Sequence, residues 1–201
     1  MKLYSMPSSG NSYKVRLLLS LLGQSAELID VEYDSAALNE AHASGALPFG
    51  KAPVLVLDDG RALPESNAIL NWLGEGTPFI PEDAFEKAQM LSWMFWEQNQ
   101  HEGVIAVRAA ILCYAHRADE RTPDRLEALL TRGNALLQVM EDRLSRADWL
   151  VGDAISLADI CLYAYTHTAE TRGGYDLAAF PALRGWLDRI AAQSGYVGLD
   201  G

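Results

Sequence analysis

The sequence predicts a chain of class α/β plus all-α: a small mixed domain built as βαβ then ββα over residues 1–75, a linker over 76–84, and an all-helical domain over 85–201. Three observations predict it. Short strand-like runs alternate with helix-like stretches through the first 75 residues and then stop. Gly76, Pro78 and Pro81 break helix continuity just beyond that boundary. From Phe85 onward, apolar residues recur at helical spacing with almost no strand signal.

In chain order, Lys2–Tyr4 and Glu27–Val31 read as short strands separated by a helix over Asn11–Leu22. Val54–Leu57 is an apolar run, Asp58-Asp59-Gly60 is a hairpin turn signal, and Ala62-Leu63 begins the returning strand. Ser66–Leu73 closes this part as a helix that places Ile69, Trp72 and Leu73 on one face. In the second part, Leu126, Leu129, Leu130, Leu137, Met140 and Leu144 form one stripe, and Leu183, Trp186, Leu187 and Ile190 form another. Both stripes are expected in the core.

The chain has 201 residues, 49% of them apolar, which is one or two domains' worth of protein with ample material for a core. Its 16 basic against 27 acidic side chains give a net charge of -11, and no local basic patch relieves it. Nucleic-acid binding is therefore not expected. No apolar run approaches the ~20 residues of a membrane span, and Pro7, Ser8, Ser9 and Gly10 stand where a signal peptide needs its apolar stretch. A soluble, cytoplasmic protein without membrane contact is the expectation. Cys113 and Cys161 lie in apolar helical stretches and read as two reduced core thiols. His42, His101, His116 and His167 lack metal-ligand spacing, so no metal is expected.

Ser8-Ser9-Gly10-Asn11-Ser12 is a polar, glycine-containing turn between the first strand and the first helix. It aims backbone N–H groups and the positive end of a helix dipole at whatever binds there, an anion or a thiolate alike. An ordinary helix cap draws on the same residues. In Gly50-Lys51-Ala52-Pro53-Val54-Leu55 a proline interrupts the approach to an apolar strand, where it cannot donate to a ladder. A cis Ala52–Pro53 bond would leave the Ala52 backbone free for a peptide-like ligand; a trans proline at a strand start is the plainer alternative. Leu63-Pro64-Glu65-Ser66-Asn67-Ala68-Ile69-Leu70 places Glu65 and Ser66 at a helix start. Ser66 either caps that helix or binds a carboxylate at its positive end while Glu65 meets an ammonium, an arrangement suited to the zwitterionic end of an amino acid.

The order of these motifs, followed by Gly152-Asp153-Ala154-Ile155-Ser156-Leu157-Ala158-Asp159 with its S-x-x-D spacing, resembles the glutathione transferase family over nearly the whole chain. The resemblance to its bacterial serine-type members, theta, zeta and beta alike, implies a thioredoxin-like glutathione-binding domain followed by the helical one. It implies that Pro53 is the family's cis-proline, that Ala52 pairs through its backbone with the cysteinyl part of glutathione, that Glu65 and Ser66 hold the γ-glutamyl end, and that Lys51 reaches the glycyl carboxylate. Asp159 is then structural.

Counting back from Lys14-Val15-Arg16, Ser9 falls where the serine-type members keep their active serine, with Asn11 and Ser8 as alternatives one or two residues away. Tyr4 lies too early, inside the first strand. The implied activity is a glutathione S-transferase that takes glutathione as co-substrate and activates its thiolate against a small electrophile, by conjugation or peroxide reduction, in a detoxifying role and as a homodimer. The second substrate is expected between the N-terminal turn and the helix carrying Trp93, Phe95, Trp96, Gln98, Asn99, His101 and Arg108, where aromatic and apolar residues would bind a hydrophobic electrophile or Arg108 or His101 would instead select an acidic one, while core or dimer interface is the plainer reading of most of this stripe. A maleylacetoacetate-type isomerase is an alternative, weakened by Gly10-Asn11 where that branch has serine and cysteine. A non-catalytic interaction module is a second. With no cysteine in the first turn and no C-x-x-C, exchange through an enzyme disulfide is not expected.

Overall fold

Strand β1 (Lys2–Ser5) lies inside a four-stranded sheet of order β2-β1-β3-β4. It runs parallel to β2 (Glu27–Asp30) and antiparallel to β3 (Val54–Val56), which pairs antiparallel with β4 (Ala62–Pro64). The parallel β1–β2 pair needs a crossover, supplied by helix α1 (Gly10–Leu21). Along β1 the side chains alternate, Leu3 and Ser5 buried and Lys2 exposed. Gly60, at φ +86°, completes the β3–β4 turn at Asp58-Asp59-Gly60. Helix α3 (Ser66–Gly74) packs against α1.

These elements, residues 1–77, group with residues 191–199 into one compact unit, and residues 78–190 form another. The computed structural model describes residues 1–199. The expected helical domain, which ran through to 201, thus gives up its last described stretch to the first unit. Backbone carbonyls explain the reassignment: the Tyr13 hydroxyl donates to the Val197 oxygen at 2.8 Å and Arg16 Nη2 donates to the Leu199 oxygen at 2.9 Å, both from α1. Residues 200 and 201 of that expected domain lie outside the described residues.

The pattern βαβ–ββα missed one helix, α2 (Ala36–Ala43). It has no apolar stripe to read, since only Ala41 is buried; its signal was the N-cap, where the Ser35 hydroxyl accepts from Leu38 N at 3.0 Å. Ala41 joins Val31, Leu47 and Val54 in a small core. On α3 the buried residues are Ser66, Ile69, Leu70, Leu73 and Gly74, while Trp72, expected on the core face, is 52% exposed.

In the second unit the long helical pattern resolves into α4 (Ala84–Trp96), a π-helical turn over Glu97–His101, α5 (Glu102–Cys113), a 3-10 turn over Ala115–Glu120, α6 (Pro123–Leu144), α7 (Leu157–Thr166), the short α8 (Ala169–Gly173) and α9 (Pro181–Ala191). Helix α7 is apolar nearly all round and is buried on every side but Tyr165, as a central helix must be. On α6, Leu137, Met140 and Leu144 are buried as expected, but Leu126, Leu129 and Leu130 are only half-buried. Cys161 is in the core; Cys113 is exposed, contrary to expectation, because it ends α5 on the solvent side.

Asp159 anchors α7. Its carboxylate accepts from Leu150 N at 3.0 Å, Ser156 N at 2.8 Å, the Ser156 hydroxyl at 2.9 Å and Trp186 Nε1 at 2.9 Å. Complete burial pushes its pKa above the ordinary aspartate range, and these four donors act against that shift.

Candidate functional site

Strand register brings the three sequence motifs to one end of the sheet. Tyr4 pairs with Val54, and Val54 pairs with Pro64. The two antiparallel pairings put the C-terminal ends of β1 and β4 and the N-terminal end of β3 at the same end of the sheet, so the chain enters or leaves the sheet there at the first turn, at Ala52-Pro53 and at the start of α3. The first-turn serines, the proline and the start of α3 are therefore neighbours for a reason that lies in the ladder itself.

The first turn is held from several sides. Met6 N donates to the Ser12 hydroxyl at 2.9 Å, and Ser9 N to the Met6 oxygen at 3.0 Å. Arg16 donates to the Ser5 hydroxyl at 2.8 Å and to the Pro7 oxygen at 3.1 Å. Glu32 accepts from both Ser8 N, at 2.9 Å, and the Ser8 hydroxyl, at 2.8 Å. That bond commits the Ser8 hydroxyl proton to Glu32, so Ser8 is a support of the turn.

Ser9 is the N-cap of α1, with φ -87° and ψ 128°, and its hydroxyl oxygen accepts a long 3.5 Å contact from Ser12 N. A hydroxyl that accepts in this way keeps its O–H as a donor. Two residues on, the Asn11 carboxamide oxygen accepts from the Ser66 hydroxyl at 3.2 Å, joining the first turn to the start of α3. The same oxygen accepts from Lys14 Nζ at 2.7 Å.

Ser66 is the first residue of α3 and is buried; the N-cap is Glu65, which makes no side-chain capping bond. The capping alternative for Ser66 is thus not the one adopted. Glu65 has φ +73° and ψ 115°, a backbone conformation uncommon for a residue with a side chain, and its carboxylate is exposed. Such strain, about 1–3 kcal/mol, persists at sites where the surroundings over-determine it. The Ala52–Pro53 peptide bond is cis. Among the described residues the Ala52 N–H and C=O have no hydrogen-bond partner. Lys51 stands exposed just before it, following Gly50 at φ +70°.

All seven expected site residues, Ser9, Asn11, Lys51, Ala52, Pro53, Glu65 and Ser66, accordingly belong to one end of one sheet. Sequence reasoning missed the supports of the turn, Glu32, Arg16 and Lys14. Lys14 had the one usable signal, a lysine at an i+3 position from Asn11 on a helix face otherwise apolar; Glu32 and Arg16 had none.

This arrangement has relatives of known family. Residues 3–78 match the glutathione S-transferase N-terminal domain, and residues 104–194 match the glutathione S-transferase C-terminal domain. Disulfide-bond oxidoreductase YfcG of Escherichia coli (strain K12) is 30% identical over 207 residues, covering 95% of this chain and 90% of that protein. The chain belongs to the glutathione S-transferase family. A glutathione S-transferase crystal structure from Pseudomonas fluorescens Pf-5 superposes with a TM-score of 0.91 at 42% identity, over 98% of this chain and 98% of that one. A maleylacetoacetate isomerase of Rhizobium meliloti (strain 1021) is 27% identical over 186 residues, 90% of this chain and 86% of that protein.

Within this transferase-family chain, two residues expected near the second substrate have other work. His101 is fully buried in the π-helical turn, its Nε2 3.1 Å from the Thr166 hydroxyl. Arg108 donates to the Gly173 oxygen at 2.7 Å and the Leu126 oxygen at 2.6 Å, tying three segments of the helical unit together. Burial removes His101 as a selector of an acidic electrophile, and two of the Arg108 donors are committed to backbone carbonyls. No group of three or more His, Cys, Asp or Glu side chains among the described residues is placed to hold a metal ion. No helix among them is long and apolar enough to cross a membrane.

Proposed function

We propose that this chain is a glutathione transferase that binds glutathione at the end of the sheet and ionises its thiol at the N-terminus of α1. The Ala52 backbone groups pair with the cysteinyl peptide unit. Glu65 meets the γ-glutamyl ammonium, the Ser66 backbone N–H at the start of α3 takes the γ-glutamyl carboxylate, and Lys51 takes the glycyl carboxylate. The sulfur then lies over the first turn of α1, within reach of the Ser9 hydroxyl and the Asn11 carboxamide.

A thiol near the ~8.5 of ordinary cysteine is mostly protonated at neutral pH. Neutral donors and the positive end of the α1 dipole favour the thiolate, each pKa unit being worth ~1.4 kcal/mol. The proton leaves to solvent. The thiolate attacks the electrophile, forming a carbon–sulfur bond as the leaving group departs, or attacks a peroxide oxygen as the O–O bond breaks.

What supports this reading above all is the 3.2 Å contact between Asn11 and Ser66, which ties the thiol-activating turn to the amino-acid-binding helix start. A contact network of this kind, beside a backbone segment without partners of its own, has no need of that combination in the absence of a ligand. The resemblance to a maleylacetoacetate isomerase favours a second reading, isomerisation of a dienoic acid through reversible addition of the same thiolate. Either chemistry needs reduced glutathione, which supports a reducing, cytoplasmic location and, for conjugation, a detoxifying role. Exposed Trp72 on α3 and Phe95 on α4, 52% and 64% exposed, support a homodimer that covers them.

The test is the pH dependence of glutathione-dependent turnover. Ser9→Ala and Asn11→Ala should each keep glutathione affinity and move the rising limb of kcat/KM to higher pH, by about one unit for the larger of the two. Unchanged profiles for both variants would remove the assignment of thiol activation to this turn. Turnover of a dienoic acid by an enzyme inert toward halide and peroxide electrophiles would select the isomerase.

A further inference from the structure

Residues 195–199 lie against α1 and are fastened to it at three places. Gly195 has φ +83°, and a Cβ there would stand 2.7 Å from the Ser20 backbone oxygen, which leaves no room for a side chain. The Val197 oxygen accepts from the hydroxyl of fully buried Tyr13 at 2.8 Å. The Leu199 oxygen accepts from Arg16 Nη2 at 2.9 Å. The same guanidinium reaches back past the start of α1, where Nη2 also donates to the Pro7 oxygen at 3.1 Å and Nη1 donates to the buried Ser5 hydroxyl at 2.8 Å. One nitrogen thus serves a carbonyl of the first turn and a carbonyl near the C-terminus together. Pro7 stands two residues before Ser9, whose N–H closes the turn on the Met6 oxygen. A guanidinium is planar with its donors in fixed directions, so it holds three acceptors in one relative arrangement; an ammonium of the same charge on a flexible stem does not.

We propose that Arg16 is a positioning residue for thiol activation and that residues 195–199 are the strap that seats it: the strap fixes the guanidinium, the guanidinium fixes Ser5 and Pro7, and the turn so held sets the Ser9 hydroxyl and the N-terminus of α1 against the glutathione sulfur. The inference rests on the glutathione reading of this site and deepens it. A hydrogen bond weakens steeply as its geometry opens, so a short polar turn that activates a thiol needs holding from outside itself. In this role Arg16 acts through the turn and moves no proton. The groups that hold the tripeptide, at Lys51, Ala52, Glu65 and Ser66, lie on other segments, so the strap bears on ionisation of the thiol and not on the grip on the rest of the ligand.

The experiment compares wild type, Arg16→Lys, Gly195→Val and the double variant, reading the ultraviolet absorbance of bound glutathione thiolate against pH. Arg16→Lys keeps the charge and loses the planar fork; it should raise the apparent pKa of the bound thiol by about one unit, a tenfold loss of thiolate on the acidic side of the midpoint. Gly195→Val leaves every charge in place and displaces the strap from Ser20, and it should shift the titration in the same direction. Affinity for S-methylglutathione, which has no thiol to ionise, should stay within about twofold of wild type in both. In the Arg16→Lys background Gly195→Val should add nothing, because it acts through Arg16. A titration of either single variant that overlays wild type overturns the proposal, even where the melting temperature has fallen, since the strap then serves stability alone. A Gly195→Val shift of undiminished size in the Arg16→Lys background overturns it too, and so does a tenfold loss of affinity for S-methylglutathione. Should either variant not fold, Gly195→Ala decides: its smaller side chain still meets the Ser20 oxygen at a positive φ, the thiol pKa should rise, and an unmoved pKa overturns the proposal. Wild-type protein that takes up no glutathione thiolate removes the reading beneath the proposal; wild-type protein that takes it up, with the Arg16 and Gly195 variants indifferent, removes only the role of Arg16 and its strap.

Discussion

Glu65 carries a contradiction between stability and use. A residue with a Cβ at φ +73° is strained, whereas glycine adopts that conformation freely, so a sequence selected for stability alone would have glycine there. Glu65→Gly should therefore leave the melting temperature unchanged or raise it by a few degrees, while weakening glutathione binding about tenfold through loss of the carboxylate that meets the ammonium. Thermal unfolding together with a glutathione titration checks both halves; a lowered melting temperature with undiminished affinity would make the φ angle a matter of fold alone. At this scale the sequence was most legible where a residue type has few alternative uses. Pro53 before an apolar strand and the pair Glu65-Ser66 at a helix start were readable for that reason. Lys14 was not, because burial of a lysine depends on the pieces packed over it, and the exposure of Trp72 and Cys113 was hidden for the same reason: an apolar residue near a helical stripe does not announce which side its neighbours cover.

Elements with a periodic apolar face were legible, and those without one were not. Helix α6 was visible from Leu137, Met140 and Leu144, whereas α2, with Ala41 alone buried, left only the Ser35 cap to read. The π-helical turn at Glu97–His101 interrupts a run that reads from the sequence as plain helix. Helix α7 depends on Asp159, the common acceptor for donors from Leu150, Ser156 and Trp186. Asp159→Ala strands these buried donors and should destabilise the protein by about 3 kcal/mol or more, lowering the melting temperature by roughly 10 °C. Scanning calorimetry reads it directly, and an Asp159→Ala protein of normal melting temperature would show that the anchor is dispensable.

Across the whole molecule, the switch from mixed α/β to all-helical pattern was legible in composition, and the two compact units divide between Thr77 and Pro78. The return of residues 191–199 to the first unit was not, because it rests on backbone carbonyls of Val197 and Leu199 that any sequence possesses. What the chain does follows from the first unit, where ladder register gathers the α1 turn, Ala52–Pro53 and the start of α3. We propose this gathering as the binding site for reduced glutathione. Calorimetric titration of reduced glutathione into the wild-type protein tests it most directly. Saturable binding with a dissociation constant below about a millimolar, a free energy near -4 kcal/mol or stronger, is the predicted result; no heat of binding at several times that concentration, on the order of 5 mM, would contradict it.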